Sequence, residues 1–163
     1  MGLFSLLGKG LRALFTPASF KTGEKFENYV RKKLFTDRYY EQLQRTYGYN
    51  VKKKNYVQSS NPDFKLRDRQ TLKTFYAEAK YRKQFFQGRV TWCTDQQLKR
   101  YRQCNEEYPV FIILGIGGKP GRPSFVFLIP LRVANFAELY VSEVEKYMIR
   151  PRRPVLSKVL WRR

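Results

Sequence analysis

The chain has 163 residues, of which 42% are hydrophobic and 17% aromatic, enough for the core of one domain and too many for disorder throughout. Against 13 Asp and Glu stand 33 Lys and Arg, a formal charge of +20 that attracts polyanions. Histidine is absent, and the two cysteines, Cys93 and Cys104, suit neither a disulfide framework nor a zinc site. This excludes imidazole bases and Ser-His or Cys-His nucleophile pairs, and it leaves hard, oxygen-liganded ions as the only plausible metals.

Leu3, Leu7, Leu11, Leu14 and Phe15 recur at helical spacing around Lys9 and Arg12, so residues 1–16 are expected to form an amphipathic helix. The two charges interrupt what a signal peptide needs, and Leu6 breaks the myristoylation pattern. Packing on the domain or on a second copy of the chain, as in a homodimer, is preferred over membrane-surface contact. The expected location is the cytoplasm, with the nucleoid.

Thr22 is expected to cap a helix over 23–35, with Phe26, Val30 and Leu34 on one face, and more helix should continue to Tyr47. Gly48 ends it. Residues 49–57, with the run Lys52-Lys53-Lys54, read as a first strand. Ser59 to Pro62 form a turn, a short strand covers 63–66, a polar hairpin 67–70, and a strand 72–81.

A helix is expected over 91–107 with Thr94 as N-cap, then strands over 110–116 and 124–130, and a final amphipathic helix over 133–149. The apolar runs are far shorter than the roughly 20 residues that span a bilayer. From Arg150 onward there is no acid, so an exposed basic tail is expected. The organisation is thus an N-terminal helix over 1–16, one domain over 17–149 and a tail over 150–163. The fold class is α/β with a mixed sheet flanked by helices.

Basicity explains polyanion binding but not the placing of acids. Glu78 and Lys80 sit two apart on one strand and share a face, and Asp63 begins the preceding strand across a hairpin. Two carboxylates able to share a divalent ion, with an amine beside them, suit phosphodiester hydrolysis, in which charge on phosphate must be stabilised and a water activated. Taken singly, Pro-Asp is a common turn signal and Glu-x-Lys a common surface pair, so order and spacing carry the inference. Glu27 has a duller reading as a helical partner of Arg31. Gln97 has one as the fourth residue of a Thr-x-x-Gln capping box, and Tyr101 one as core.

Pro62-Asp63 followed by Glu78-Ala79-Lys80 resembles the signature of the PD-(D/E)XK nuclease superfamily. Gly23-Glu24-Lys25-Phe26-Glu27 is similar to the opening of the first core helix in archaeal Holliday junction resolvases and Mrr-type restriction endonucleases, and Gln97 with Tyr101 resembles the Q-x-x-x-Y of the RecB-like branch. The resemblance implies a restriction endonuclease-like αβββαβ core and a DNA endonuclease using Mg2+ or Mn2+. Asp63, Glu78 and the Ala79 carbonyl would hold the ion, Lys80 would serve the attacking water, and Glu27 would serve a water beside the ion or a second ion. Gln97 would join the catalytic set. The expected partner is DNA, with RNA left open, gripped through its backbone by Lys52, Lys53, Lys54, Arg82, Lys83, Lys99 and Arg100. The rival expectation is a basic nucleic-acid-binding module on the same fold without catalysis.

The Gly115 to Gly121 stretch has the glycines and lysine of a phosphate loop but lacks Ser or Thr after Lys119, and strands on both sides make it a hairpin.

Overall fold

The computed structural model describes residues 17–46, 49–50, 55–56 and 61–162. The expected N-terminal amphipathic helix and the Lys52-Lys53-Lys54 run lie outside these. The described chain is α/β. In order it forms α1 (Pro17–Tyr29) with a π-helical turn (Val30–Leu34), then β1 (Tyr40–Arg45), β2 (Tyr49–Asn50), β3 (Asn55–Tyr56), β4 (Phe64–Asp68) and β5 (Thr74–Arg82). Next come β6 (Arg89–Thr91), α2 (Asp95–Glu107), β7 (Val110–Lys119), β8 (Arg122–Pro130) and β9 (Glu138–Tyr140). The chain closes with α3 (Val141–Val144), a 3-10 turn (Glu145–Tyr147), β10 (Met148–Ile149) and α4 (Ser157–Leu160).

The main sheet has six strands in the order β1-β4-β5-β7-β8-β10. Only β5 and β7 run parallel, because α2 carries the chain between them, and the other neighbours are antiparallel. Strand alternation divides the apolar side chains into two cores. Phe75, Ala77, Ala79, Phe111 and Ile113 meet α1 and the C-terminal segment on one face. Ile112, Leu114 and Ile116 meet Leu98 and Tyr101 of α2, with Trp92, on the other. Gly115 lets α1 approach the first face: a Cβ there would lie 2.3 Å from the Phe26 ring, so no larger residue fits without displacing that ring or the helix that carries it.

Several expected elements form as read, with ordinary shifts at their ends. Thr94 caps α2 in a complete capping box, accepting from the Gln97 N–H at 3.2 Å while Gln97 Oε1 accepts from the Thr94 N–H at 3.1 Å. Helix α1 starts earlier than expected, and Thr22 lies inside it, donating to the Ala18 carbonyl at 3.0 Å. It is therefore not the cap.

Other expectations are corrected. Residues 40–45 are strand, not helix, although Glu, Gln and Leu favour helix locally. Pairing with β4 and burial of Tyr40 against Phe35 and Phe75 outweigh that preference. The single strand expected over 49–57 is instead two short strands, β2 and β3, paired antiparallel. The helix expected over 133–149 is broken into β9, α3, a 3-10 turn and β10. Here Leu139 and Val90 are buried as β9 pairs with β6, and the Trp92 indole donates to the Phe136 carbonyl at 2.8 Å. Tertiary partners decide the first and the last, whereas β2 and β3 pair locally with each other.

The expected exposed tail is also corrected. Val155 and Leu160 are buried in the core that holds α1, and the Val155 N–H donates to the Leu34 carbonyl at 2.9 Å. Asp68, at the end of β4 and 1% exposed, staples this segment down. Its carboxylate accepts from the Gln70 N–H at 2.9 Å, the Thr71 hydroxyl at 2.9 Å, the Trp161 indole at 2.7 Å and the Ser157 hydroxyl. Burial alone would raise the Asp68 pKa, but the donors from Ser157, Trp161, Gln70 and Thr71 outweigh it and hold the carboxyl below its ordinary value.

A depressed folded value means that Asp68 contributes stability above the unfolded carboxylate pKa near ~4, and that the contribution is lost as pH falls through the folded value. Asp68→Ala is accordingly expected to lower stability by about 2–4 kcal/mol at pH 7. Chemical denaturation should show the gap between variant and wild type closing on acidification below about pH 4. A gap independent of pH would assign the loss to packing instead.

Candidate active site

The register of β4 against β5 pairs Phe64 with Ala77, which brings Asp63, one residue before β4, beside Glu78. Two reciprocal hydrogen bonds fix the pair. The Asp63 N–H donates to Glu78 Oε2 at 3.1 Å, and the Ala79 N–H donates to Asp63 Oδ2 at 2.8 Å. Lys80 emerges on the same side as Glu78 and places its ammonium 2.6 Å from Glu78 Oε1. From α2, the buried Tyr101 hydroxyl donates to that same oxygen at 2.7 Å, its ring stacked on Trp92.

Glu27 comes from α1, on the opposite side of the sheet from α2. It pairs with Arg45 at 3.6 Å, and its charge acts on Glu78 and Lys80. Asp63, Glu78, Lys80 and Glu27 thus converge, each from a different position in the chain. The buried Glu78 is only 2% exposed.

The electrostatics follow from this crowding. Burial, then the carboxylates of Glu78 and Glu27, push the Asp63 pKa well above its ordinary value. Lys80 and the Ala79 N–H oppose that shift without cancelling it. Burial likewise raises the Glu27 carboxyl, with Arg45 acting against it and Glu78 adding to it. For Lys80, burial disfavours the charge, but Glu78 and Asp63 outweigh it, and the amine titrates above its ordinary value. Lys80 is therefore a cation in this arrangement, suited to holding an anion or a water by its N–H groups, not to removing a proton.

The donor set fits a hard divalent ion of the magnesium type. Asp63 and Glu78 offer oxygens, and no hydrogen bond among the described residues engages Asp63 Oδ1. Burial is the first cause of both raised carboxyls, joined at Asp63 by the charges of Glu78 and Glu27, and a bound cation would oppose these shifts. Among the described residues no three acids or thiols surround a point closely enough to cage an ion alone. Magnesium can be held by one or two carboxylates, with waters and substrate phosphate completing its shell.

Gln97 lies on the first turn of α2, and its side-chain oxygen is committed to the cap, leaving only its amide N–H groups for another role. Arg82, expected on the nucleic-acid surface, is tied down, with its guanidinium donating to the backbone carbonyls of Thr91, Tyr81 and Trp92. Arg100 is exposed and bridges to Asn61 at 3.0 Å, while Lys83 and Lys99 are exposed. Two contributors have a weak signal in the sequence or none. Tyr101 has a core reading beside its Q-x-x-x-Y spacing from Gln97. Arg45, the partner of Glu27, has no signal, because the sequence places residue 45 in a helix.

The chain matches no protein-family model, and no curated protein matches it. No helix among the described residues is long and apolar enough to cross a membrane.

A raised folded pKa makes Asp63 destabilising at neutral pH when no cation is present, and the penalty vanishes as pH falls below its unfolded value near ~4. Without divalent ions, Asp63→Asn should therefore melt higher than wild type at pH 7, with the advantage lost at acid pH. Adding Mg2+ or Mn2+ should raise the wild-type melting temperature, by up to about 2.7 kcal/mol of stabilisation at a hundredfold excess over Kd. The variant should not respond. Scanning calorimetry with and without a chelator checks both halves, and an equal metal response in the two proteins would remove Asp63 from the ligand set.

Proposed function

We propose that the protein is a divalent-metal-dependent nuclease that hydrolyses phosphodiester bonds in DNA. The observation that carries the reading is the convergence of Asp63, Glu78 and Lys80, with Glu27 in electrostatic reach, in a chain otherwise dominated by positive charge. The restriction endonuclease-like family suggested by the Pro62-Asp63 and Glu78-Ala79-Lys80 motifs is part of this proposal. Support comes from the order α1, β1, β4, β5, α2, β7 and from the parallel pairing of β5 with β7.

Asp63 and Glu78 would hold Mg2+ or Mn2+, with the Ala79 carbonyl and Glu27 as further oxygens. The ion would supply charge stabilisation at phosphate and acidify a water. Lys80 orients: its ammonium, already anchored on Glu78, presents its remaining N–H donors to the attacking water or a phosphate oxygen. Tyr101 holds Glu78 from the other side and keeps that carboxylate from turning. Lys83, Lys99 and Arg100 stand exposed to attract the backbone, which supplies affinity with little base specificity. Recognition of DNA structure, as at a junction, follows more readily than a sequence code.

One observation favours a non-catalytic nucleic-acid-binding protein instead. Both Glu78 oxygens already have protein donors, from Lys80, Tyr101 and the Asp63 N–H, as in a buried structural network. Cleavage decides between the two. Asp63→Asn and Glu78→Gln are expected to lower cleavage of branched or duplex DNA in Mg2+ or Mn2+ by roughly a hundredfold or more, while DNA affinity stays equal or rises. Chelation should abolish wild-type cleavage. Wild-type binding without cleavage on any of these substrates would leave the binding module as the function.

Affinity itself should fall by orders of magnitude between low and physiological salt, because phosphate contacts release counterions. A salt series over unrelated sequences, and over a four-way junction against linear duplex, measures this. A shallow slope with preference for one sequence would contradict backbone binding.

A further inference from the structure

Two adjoining clefts, of about 300 and 470 Å3, open where the end of α1 meets the β7–β8 turn and the segment after β10. Lys33, Arg122 and Arg152 line the first, and Arg150 and Arg153 extend the second; no acid lines either. None of these cations is paired with an acid among the described residues. Tyr29 also lines the first cleft. It is only 6% exposed, its ring stacks on Phe26 at 5.7 Å, and its buried hydroxyl has no hydrogen-bond partner among the described residues.

A buried hydroxyl with nothing to donate to is rare, because leaving it unsatisfied costs stability. Arg152 lies near enough to act on it electrostatically. An anion seated in the cleft would resolve both features, taking the O–H bond and the guanidinium bonds together. Glu27 does not supply that anion, since residues two apart on a helix point roughly 200° apart and its partner is Arg45.

We infer that this cleft binds a phosphate group, with the Tyr29 hydroxyl at its floor and Lys33, Arg122 and Arg152 as its wall. Arg150 and Arg153 continue the same charge into the adjoining cleft, which suits a phosphate that belongs to a strand. The site requires neither a metal ion nor cleavage, so it stands or falls separately from the hydrolytic reading.

The test uses the full chain without divalent ions, titrated calorimetrically with inorganic phosphate and with one short single-stranded oligonucleotide carrying either a 5′-phosphate or a 5′-hydroxyl. Tyr29→Phe keeps the ring and its stacking, and Arg152→Ala trims an exposed side chain, so both should fold. Each is expected to weaken binding on the order of tenfold or more, whereas Arg132→Ala, outside the cleft, should do far less. Loss confined to inorganic phosphate and the 5′-phosphorylated strand assigns a terminal or free phosphate, and equal loss on both strands assigns an internal one; either supports the site. Absence of wild-type binding, or unchanged affinity of Tyr29→Phe for all three ligands, overturns it. In the latter case Tyr29→Phe should also melt higher than wild type, since only the unsatisfied hydroxyl would have been removed.

Discussion

The pairing of β4 with β5 is the constraint on which the rest of the site depends. Its antiparallel register sets Asp63 beside Glu78, and two bonds from backbone N–H groups to the two carboxylates hold the side chains in place. Strand β5 is held on its other edge by the long parallel ladder with β7, so Glu78 and Lys80 sit on a central strand, with Asp63 just before the neighbouring strand β4. Rigid placement of this kind is what a catalytic or ligand-binding group needs. Helices then close on the pair from both faces, α2 contributing Tyr101 and α1 contributing Glu27.

The two ends of β4 show how environment sets the chemistry of an acid. Asp68 is buried among hydroxyl, indole and backbone donors, and its pKa falls below the ordinary value. Asp63 is buried among carboxylates, and its pKa rises. The first is a finished structural interaction that clamps Ser157 and Trp161 onto the sheet. The second has no compensating cation strong enough to cancel its burial, and the proposed metal would supply one. The Tyr29 hydroxyl is incomplete in a similar sense, as a donor that finds no acceptor among the described residues and lies beside Lys33, Arg122 and Arg152.

The positive charge is not distributed evenly in its roles. Arg82 has its guanidinium consumed by backbone carbonyls, and Arg45 serves Glu27 and Asn28, so these two stabilise the interior. Lys65 lies over the rings of Tyr76 and Tyr108 and pairs with Glu107. Arg122, Arg150, Arg152 and Arg153, on the β7–β8 turn and after β10, have no acid partner among the described residues. A residue count reports a charge of +20, but only the cations left unspent by the fold can hold a polyanion.

By itself the sequence determined the α/β class, the strand that carries Glu78 and Lys80, the capped helix α2 and the two apolar strands β7 and β8. In these segments local period and turn chemistry agree with the final contacts, so reading them needs no knowledge of partners. The order Asp63, Glu78, Lys80 was legible for the same reason, since alternation along a strand and a short hairpin dictate who shares a face. Only the tertiary structure decided that residues 40–45 pair as an edge strand, that 133–149 break into short pieces, and that Val155 and Leu160 are core. Helical preference in the first two, and basic composition in the third, are weak local signals. Burial of Tyr40, Leu139 and Leu160 against residues distant in sequence outweighs them. The Tyr29 cleft was invisible for a related reason: it is assembled from three separate segments, at Tyr29 and Lys33, at Gly121 to Pro123 and at Pro151 and Arg152, and no spacing along one chain records such a meeting.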